Sequence, residues 1–260
     1  MNKFIYASVL LLASCSKGQD KAYYESGNIR EVHFRNNKNK IDSSVFYYNS
    51  EKSNIKQIKK IENGSSYIKN FTPNGRISSE GYKNGDSIRT GKWSIYGAGD
   101  TTKIFEYKNI RGNEYLNQSW IKNTKGDTIR GNYLHFEYNK DTVKVNELVS
   151  FRFYLEGYMF SEKSELIFVS PKNGNDFSKN FFNEYSVEKD TVKSLKYDGL
   201  NKHLNHLPLN HILISNFKFS TPGKKTIRGI LKEIYEPEED SITMKERNIY
   251  FEKDIYVKRN

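Results

Sequence analysis

Three imidazoles raise the first question of chemistry. His203, His206 and His211 stand close together near the middle of the C-terminal half. Zinc favours imidazole nitrogen, and three such ligands can hold an ion with one position left open. The stretch that carries them also carries Pro208 and several Asn and Gly residues, so it reads as a loop with no helix to set two rings on one face. No glutamate stands where a zinc hydrolase needs one. Solvated loop histidines, with no metal, are the expectation. Nucleophilic chemistry has less to work with. No Gly-x-Ser-x-Gly elbow occurs, and no phosphate-cradling glycine motif follows a strand. Glu238, Glu239 and Asp240 adjoin Pro237 in what reads as an exposed turn. No catalytic set and no cofactor motif emerge, and the chain reads as not an enzyme.

The lone cysteine points to different chemistry. Lys3 precedes an apolar run over residues 4–12, too short to span a bilayer, and Leu12-Ala13-Ser14-Cys15 follows. A single thiol makes no internal disulfide. The tetrad resembles the lipobox of bacterial lipoproteins. That resemblance implies a signal peptide over residues 1–14, a diacylglyceryl group on the Cys15 sulfur and a polar tether over residues 15–22. An ordinary secretory signal is the alternative. Two or three acyl chains anchor a protein stably where one binds only marginally. Ser16 is not the aspartate associated with inner-membrane retention in the best-known Gram-negative system, so an outer-membrane lipoprotein is expected, facing the periplasm or the surface. Lys17-Gly18-Gln19-Asp20 is loosely similar to surface-export signals of Bacteroidetes lipoproteins.

The elements that would present any binding residues repeat. Phe71, Pro73, Asn74 and Gly75 open a unit that continues through Gly81, Tyr82 and Gly85 to Gly91, Lys92, Trp93 and Tyr96. Gly85-Asp86-Ser87-Ile88-Arg89 returns as Gly126-Asp127-Thr128-Ile129-Arg130. A period in the twenties marks stacked supersecondary units. Glycine turns between short aromatic and β-branched runs make each unit a β-hairpin. The spacing resembles MORN-type repeats, in the bacterial variant named for toxin–antitoxin systems. Tyr23, Tyr24 and Gly27 look like an earlier copy, and Tyr47, Tyr48, Asn54 and Ile55 like another that lacks its glycine. The resemblance implies a β-meander over residues 23–138 with an interaction role and no shared catalytic residues. Trp93 and Trp120 each precede a Gly-Asp-Thr at the same distance, which gives them one structural role. Such rings either wedge between hairpins or lie exposed as binding anchors, where Trp and Tyr are over-represented. Tyr96 and Tyr133 are the first candidate contacts.

Beyond residue 139 the pattern changes. Val149, Phe151, Phe153 and Leu155 alternate with Ser150, Arg152 and Tyr154, a strand with one buried face. Further strands are expected over 166–169, 185–187, 191–197, 211–219, 226–234 and 248–257, which together make a β-sandwich over residues 139–260. Residues 217–229, with Pro222-Gly223 at their centre, resemble the late hairpin of immunoglobulin-like domains. Ile55, Ile58 and Ile61, spaced by three, suggest one short helix over 54–61. The fold class expected is all-β.

Composition agrees. Hydrophobic residues make up only 36%, yet 14% aromatics set the chain apart from disordered sequences and suit half-exposed sheets. The net charge of +11 is scattered, with Lys56, Lys59 and Lys60 the densest cluster, and no nucleic-acid motif accompanies it. Asp followed by Ser or Thr recurs at Asp86, Asp100, Asp127, Asp141, Asp190 and Asp240. These read as Asx turns feeding strands, and they resemble O-glycosylation sites of exported Bacteroidetes proteins. The expected role is a lipid-anchored, non-catalytic binding or structural module with a membrane contact through Cys15 and a protein or glycan partner. The alternative is a periplasmic immunity protein that neutralises a toxin.

Overall fold

Short β-branched and aromatic runs, broken by Gly, Asn and Asp, become antiparallel strands almost throughout. A computed structural model describes residues 19–259 apart from 86, 98–100, 173–174, 197–205 and 238–243. The signal segment, Cys15, His203, Asp86, Asp100, Glu238, Glu239 and Asp240 lie outside the described residues. Contacts divide the chain into one unit ending at Ser87 and a second beginning at Ile88. The division therefore falls well before the expected boundary at residue 139.

The first unit is a meander of β1 (Gln19–Tyr23), β2 (Ile29–Arg35), β3 (Ile41–Tyr47), β4 (Ile55–Glu62), β5 (Ser65–Phe71) and β6 (Ile77–Asn84), each paired antiparallel with the next. The expected tether is thus partly strand, because Gln19 to Ala22 pair with Phe34 to Glu31. The expected helix over 54–61 is β4, whose backbone bonds to β3 and β5 on both sides. Two sheet neighbours supply what an isolated turn of helix lacks, so pairing overrides the three-residue spacing. Hairpins repeat one device: Tyr24 N–H donates to Asn28 O, and the Tyr24 hydroxyl donates to Tyr47 O at 2.8 Å. Tyr48 does the same with Asn54 O and with Phe71 O at 2.7 Å. The copy without glycine still turns, because Ser53 takes the left-handed conformation (φ 48°) that Gly27 (φ 83°) adopts in the first.

This unit is one layer. Among its described residues only Val32, Ser44, Ser66, Ile68 and Gly81 are buried. Cross-strand pairs replace a core: Lys69 meets Glu80 at 3.1 Å, the Tyr67 hydroxyl donates to Glu80, and the Tyr67 and Tyr82 rings lie 5.1 Å apart. Such pairs contribute roughly 0.2–1 kcal/mol each.

The second unit starts with an antiparallel sheet of β7 (Ile88–Tyr96), β8 (Thr102–Ile110), β9 (Asn113–Lys122) and β10 (Thr128–Asn132). A two-sheet sandwich follows. One sheet has the order β11 (Leu134–Tyr138), β13 (Leu148–Leu155), β16 (Ile212–Lys218). The other runs β12 (Thr142–Lys144), β18 (Lys245–Lys258), β17 (Gly223–Tyr235), β14 (Glu165–Pro171), β15 (Lys189–Lys193), with β12 parallel to β18. This is the strand order of an immunoglobulin-like sandwich whose first strand is divided between the sheets. Val149, Phe151, Phe153 and Leu155 are buried as their alternation requires. Phe151 and Phe153 stack at 5.9 Å, and Phe168 and Phe251 close on them from the opposite sheet. The strand expected over 185–187 is a turn after the 3-10 segment Lys179–Phe181, and Tyr185 points out, 77% exposed. No helix among the described residues is long and apolar enough to cross a membrane.

Gly229 fixes how tightly the sandwich closes. A Cβ there would lie 2.1 Å from the Phe168 ring. Gly229→Ala is expected to cost about 1–3 kcal/mol through overpacking, read as a lowered denaturant midpoint. An unchanged midpoint would mean that the ring can move aside.

Candidate functional site

Strand register decides where the aromatic candidates point. Trp93 pairs with Phe105, and Phe105 pairs with Ser119. Trp120 pairs instead with Ile104 and with Gly131. The partner of Trp93 two strands on is therefore Ser119, and Trp120, one residue later, faces the other side of the sheet. The shared role expected for the two tryptophans does not hold. Trp93 is buried, with the Arg89 guanidinium 6.0 Å from its ring and 3.9 Å from that of Tyr107. Arg89 is held in turn by Glu114 at 2.6 Å. Trp120 is half-buried, with the Lys92 ammonium 4.9 Å from its ring and Tyr133 at 6.0 Å. Burial, then the nearby Glu156, pushes the Tyr133 phenol above its ordinary value. Tyr96 is exposed and pairs with Thr102, further along the face that carries Trp120. The structure thus brings Trp120 and Tyr133 together and leaves Trp93 on the opposite face.

The densest polar geometry lies where β9 meets β18. A bulge at Asn117 shifts the β8–β9 register. The Asn117 amide accepts from Tyr250 N–H at 2.7 Å and donates to Tyr250 O at 3.1 Å. It does for β18 what a neighbouring strand would do. The Tyr115 hydroxyl donates to Asn248 O at 2.7 Å, and its ring meets Tyr250 edge-on at 5.0 Å. The Tyr250 phenol is pushed well above its ordinary value by burial and then by Glu184, which is itself ion-paired with Arg111. Ile110 enters a small core with Val169, Phe177, Phe181 and Ile230. These contacts place β7–β10 with the sandwich and explain why the unit begins at Ile88.

Beside this joint is a cleft of about 300 Å³ lined by Tyr115, Leu116, Ser119, Met159, Arg247 and Asn248, among others. Arg247 is nearly enclosed, and burial lowers its affinity for its proton. It meets Glu233 at 3.3 Å and donates to Asn132 O at 3.0 Å. Glu233 is fully buried and accepts from the backbone N–H groups of Met159 and Phe160, and the Ser164 hydroxyl, 2.7 Å from Ser161 O, lies 3.2 Å from its carboxylate. The Ser164 hydroxyl also lies 3.3 Å from His211 Nε2. Ser, His and Glu meet here, but not as a nucleophilic triad: the acid contacts the serine rather than the far side of the imidazole, and Ser164 has no exposed surface. Beyond His211 a second cavity of about 430 Å³ is lined by Tyr154, Glu156, Tyr158, Glu162 and Ile212.

Of the three histidines, two are described and differ in setting. His206 is exposed, and His211 is buried against Tyr158, with ring centroids 5.4 Å apart. Among the described residues no group of three or more His, Cys, Asp or Glu side chains could hold a metal. Of the Asp-Ser/Thr pairs, Asp127, Asp141 and Asp190 are described and exposed; the first two precede β10 and β12, whereas Asp190 lies inside β15. Sequence reasoning missed Arg247, Glu233 and Asn248. One signal was available: Glu233 falls in phase with the buried Ile227, Gly229 and Leu231 of β17.

Removing the Asn117 amide strands the Tyr250 backbone. Asn117→Ala is expected to cost about 2–6 kcal/mol, the sum of two buried groups left unpaired, with faster hydrogen exchange at Tyr250. Unaltered exchange there would show that the clamp is dispensable.

Burial lowers the His211 imidazole below its ordinary 6.5, opposed in part by Glu233 and Glu162. The unfolded chain then binds that proton before the folded chain does, so stability falls as pH drops below about 6.5 and levels off below the folded value. His211→Asn is expected to remove that component from a series of melts. An identical pH slope in the variant would place the titration elsewhere.

Compared with known protein families and with curated proteins, the chain matches none.

Proposed function

We propose that this chain is an exported, non-catalytic binding module, held to the outer membrane by lipid on Cys15. The observation that supports the reading is the single-layer sheet β1–β6. Its faces carry Tyr, Lys and Glu ladders and bury few residues, so most of its side-chain surface is not spent on a core. A sheet wet on both sides offers a large, rigid, polar and aromatic surface, the composition that suits recognition. The lipobox-like tetrad that ends at Cys15 supports placement at a membrane.

Two measurements test it. In cells fed an alkyne fatty acid, the wild-type chain is expected to take the label and Cys15→Ala to lose it; equal labelling of both sinks the anchor. A photocrosslinking phenylalanine at Tyr82, 42% exposed, is expected to trap a discrete envelope partner, and the absence of any adduct there and at Tyr23 would overturn the binding role of this sheet.

A further inference from the structure

The cleft between β9 and β18 holds polar groups that the fold leaves unused. Arg247 commits Nη1 to Glu233 and Nη2 to Asn132 O, and a guanidinium carries further N–H donors beyond those. Next to it, Asn248 Oδ1 is enclosed and has no hydrogen-bond partner among the described residues, a costly state for a carbonyl oxygen. Rotating that amide toward a donor in the cleft would recover the lost bond. Leu116 and Met159, 50% and 52% exposed, supply an apolar rim.

Charge and shape narrow the ligand. Arg247 is matched by Glu233, and Glu246 on the rim by Lys232 at 3.1 Å. The walls are therefore close to neutral, and a charged ligand would be desolvated with no countercharge to meet it. What fits is a neutral group with one acceptor, one donor and a small apolar end. An acetamido group has all three. A peptide bond shares the first two, but a peptide would need a free strand edge. β8 pairs β9 on one side and β10 takes the other only from Ser119 to Lys122; the short stretch before that is taken up by Tyr115 and Asn117, whose side chains close the edge of β18 at Asn248 and Tyr250. A cleft of about 300 Å³ accommodates a single sugar ring.

We infer that this cleft binds an N-acetylhexosamine unit of a glycan. The acetamido carbonyl accepts from Arg247, its N–H donates to the turned Asn248 amide, and its methyl rests on Leu116 and Met159. Ring hydroxyls then meet Ser119 and Glu246 at the rim. None of the cleft's lining residues comes from β1–β6 or from the Cys15 segment, so the inference stands or falls independently of both.

The test is titration of the purified soluble chain, residues 16–260, with N-acetylglucosamine, with glucose and with N-acetylalanine methylamide, followed by amide chemical shifts in NMR. Saturable shifts at Leu116, Arg247 and Asn248 are expected with N-acetylglucosamine and not with glucose. Asn248→Ala removes the unpartnered oxygen while keeping the backbone carbonyl that Tyr115 uses. It is expected to weaken binding by about tenfold or more, with a melting temperature equal to or above that of the wild type. Leu116→Asp on the exposed rim is expected to weaken binding while the fold is kept. Equal response to glucose, no saturable shift, or unchanged affinity in Asn248→Ala would overturn the inference. Binding of the acetylated amino acid without the sugar would make the cleft a peptide site instead.

Discussion

The edge of β18 has to be closed, and the second unit is built around how that is done. Its backbone near Asn248 and Tyr250 pairs with β17 on one side, while β12 reaches only Tyr256 to Lys258 on the other. An open, buried edge would leave amides and carbonyls unpaired at a cost of about 1–3 kcal/mol each. Side chains from β9 supply the missing partners: the Asn117 amide mimics a strand against Tyr250, and the Tyr115 hydroxyl caps Asn248 O. The bulge at Asn117 is what turns its amide toward β18. From that one clamp follow the docking of β7–β10 on the sandwich, the entry of Ile110 into the Phe177 and Phe181 cluster, and the cleft beside Arg247.

The two units solve stability in different ways. The sandwich stacks Phe151, Phe153, Phe168 and Phe251 in a dry interior, where each ring contributes both area and edge-to-face contacts. The first unit has no such interior. Its strands hold by ladders such as Gln57, Asn70 and Ser79, linked amide to amide to hydroxyl, and by tyrosine hydroxyls that stitch one hairpin to the next at a regular interval. Cooperative neighbours matter more there, because no hairpin buries enough on its own.

The sequence was legible where one signal acted alone. Alternation located β13 and its buried face, and turn residues located the hairpins. It misled where two signals competed. Ile55, Ile58 and Ile61 carry a helical spacing, yet β3 and β5 on either side make the segment a strand. Trp93 and Trp120 share a local context, but the register offsets them by one residue, and a period of two turns that into opposite faces. The bulge at Asn117 has no composition cue, so neither the docking of β9 nor the unit boundary at Ile88 could be read. Glu233 was readable in principle: a carboxylate in the inward phase of an apolar strand must have partners. Which partners, Arg247 and the amides of Met159 and Phe160, depends on elements distant in the chain.

That buried pair is better understood as a positioning device than as a source of stability. Taking Arg247 and Glu233 out of water costs several kcal/mol per ion, and apolar residues of similar size commonly pack such a site at least as well. What apolar residues cannot do is point. Two backbone N–H groups hold the Glu233 carboxylate, with the Ser164 hydroxyl 3.2 Å from it, and the carboxylate and Asn132 O hold the guanidinium from two sides. Arg247 thereby loses the rotamer freedom that would otherwise be lost on meeting a ligand. The same hydroxyl reaches His211, whose ring lines the neighbouring cavity. One hydrogen-bonded chain thus fixes the walls of both cavities, and it does so from residues that no exposed surface of the sandwich reveals.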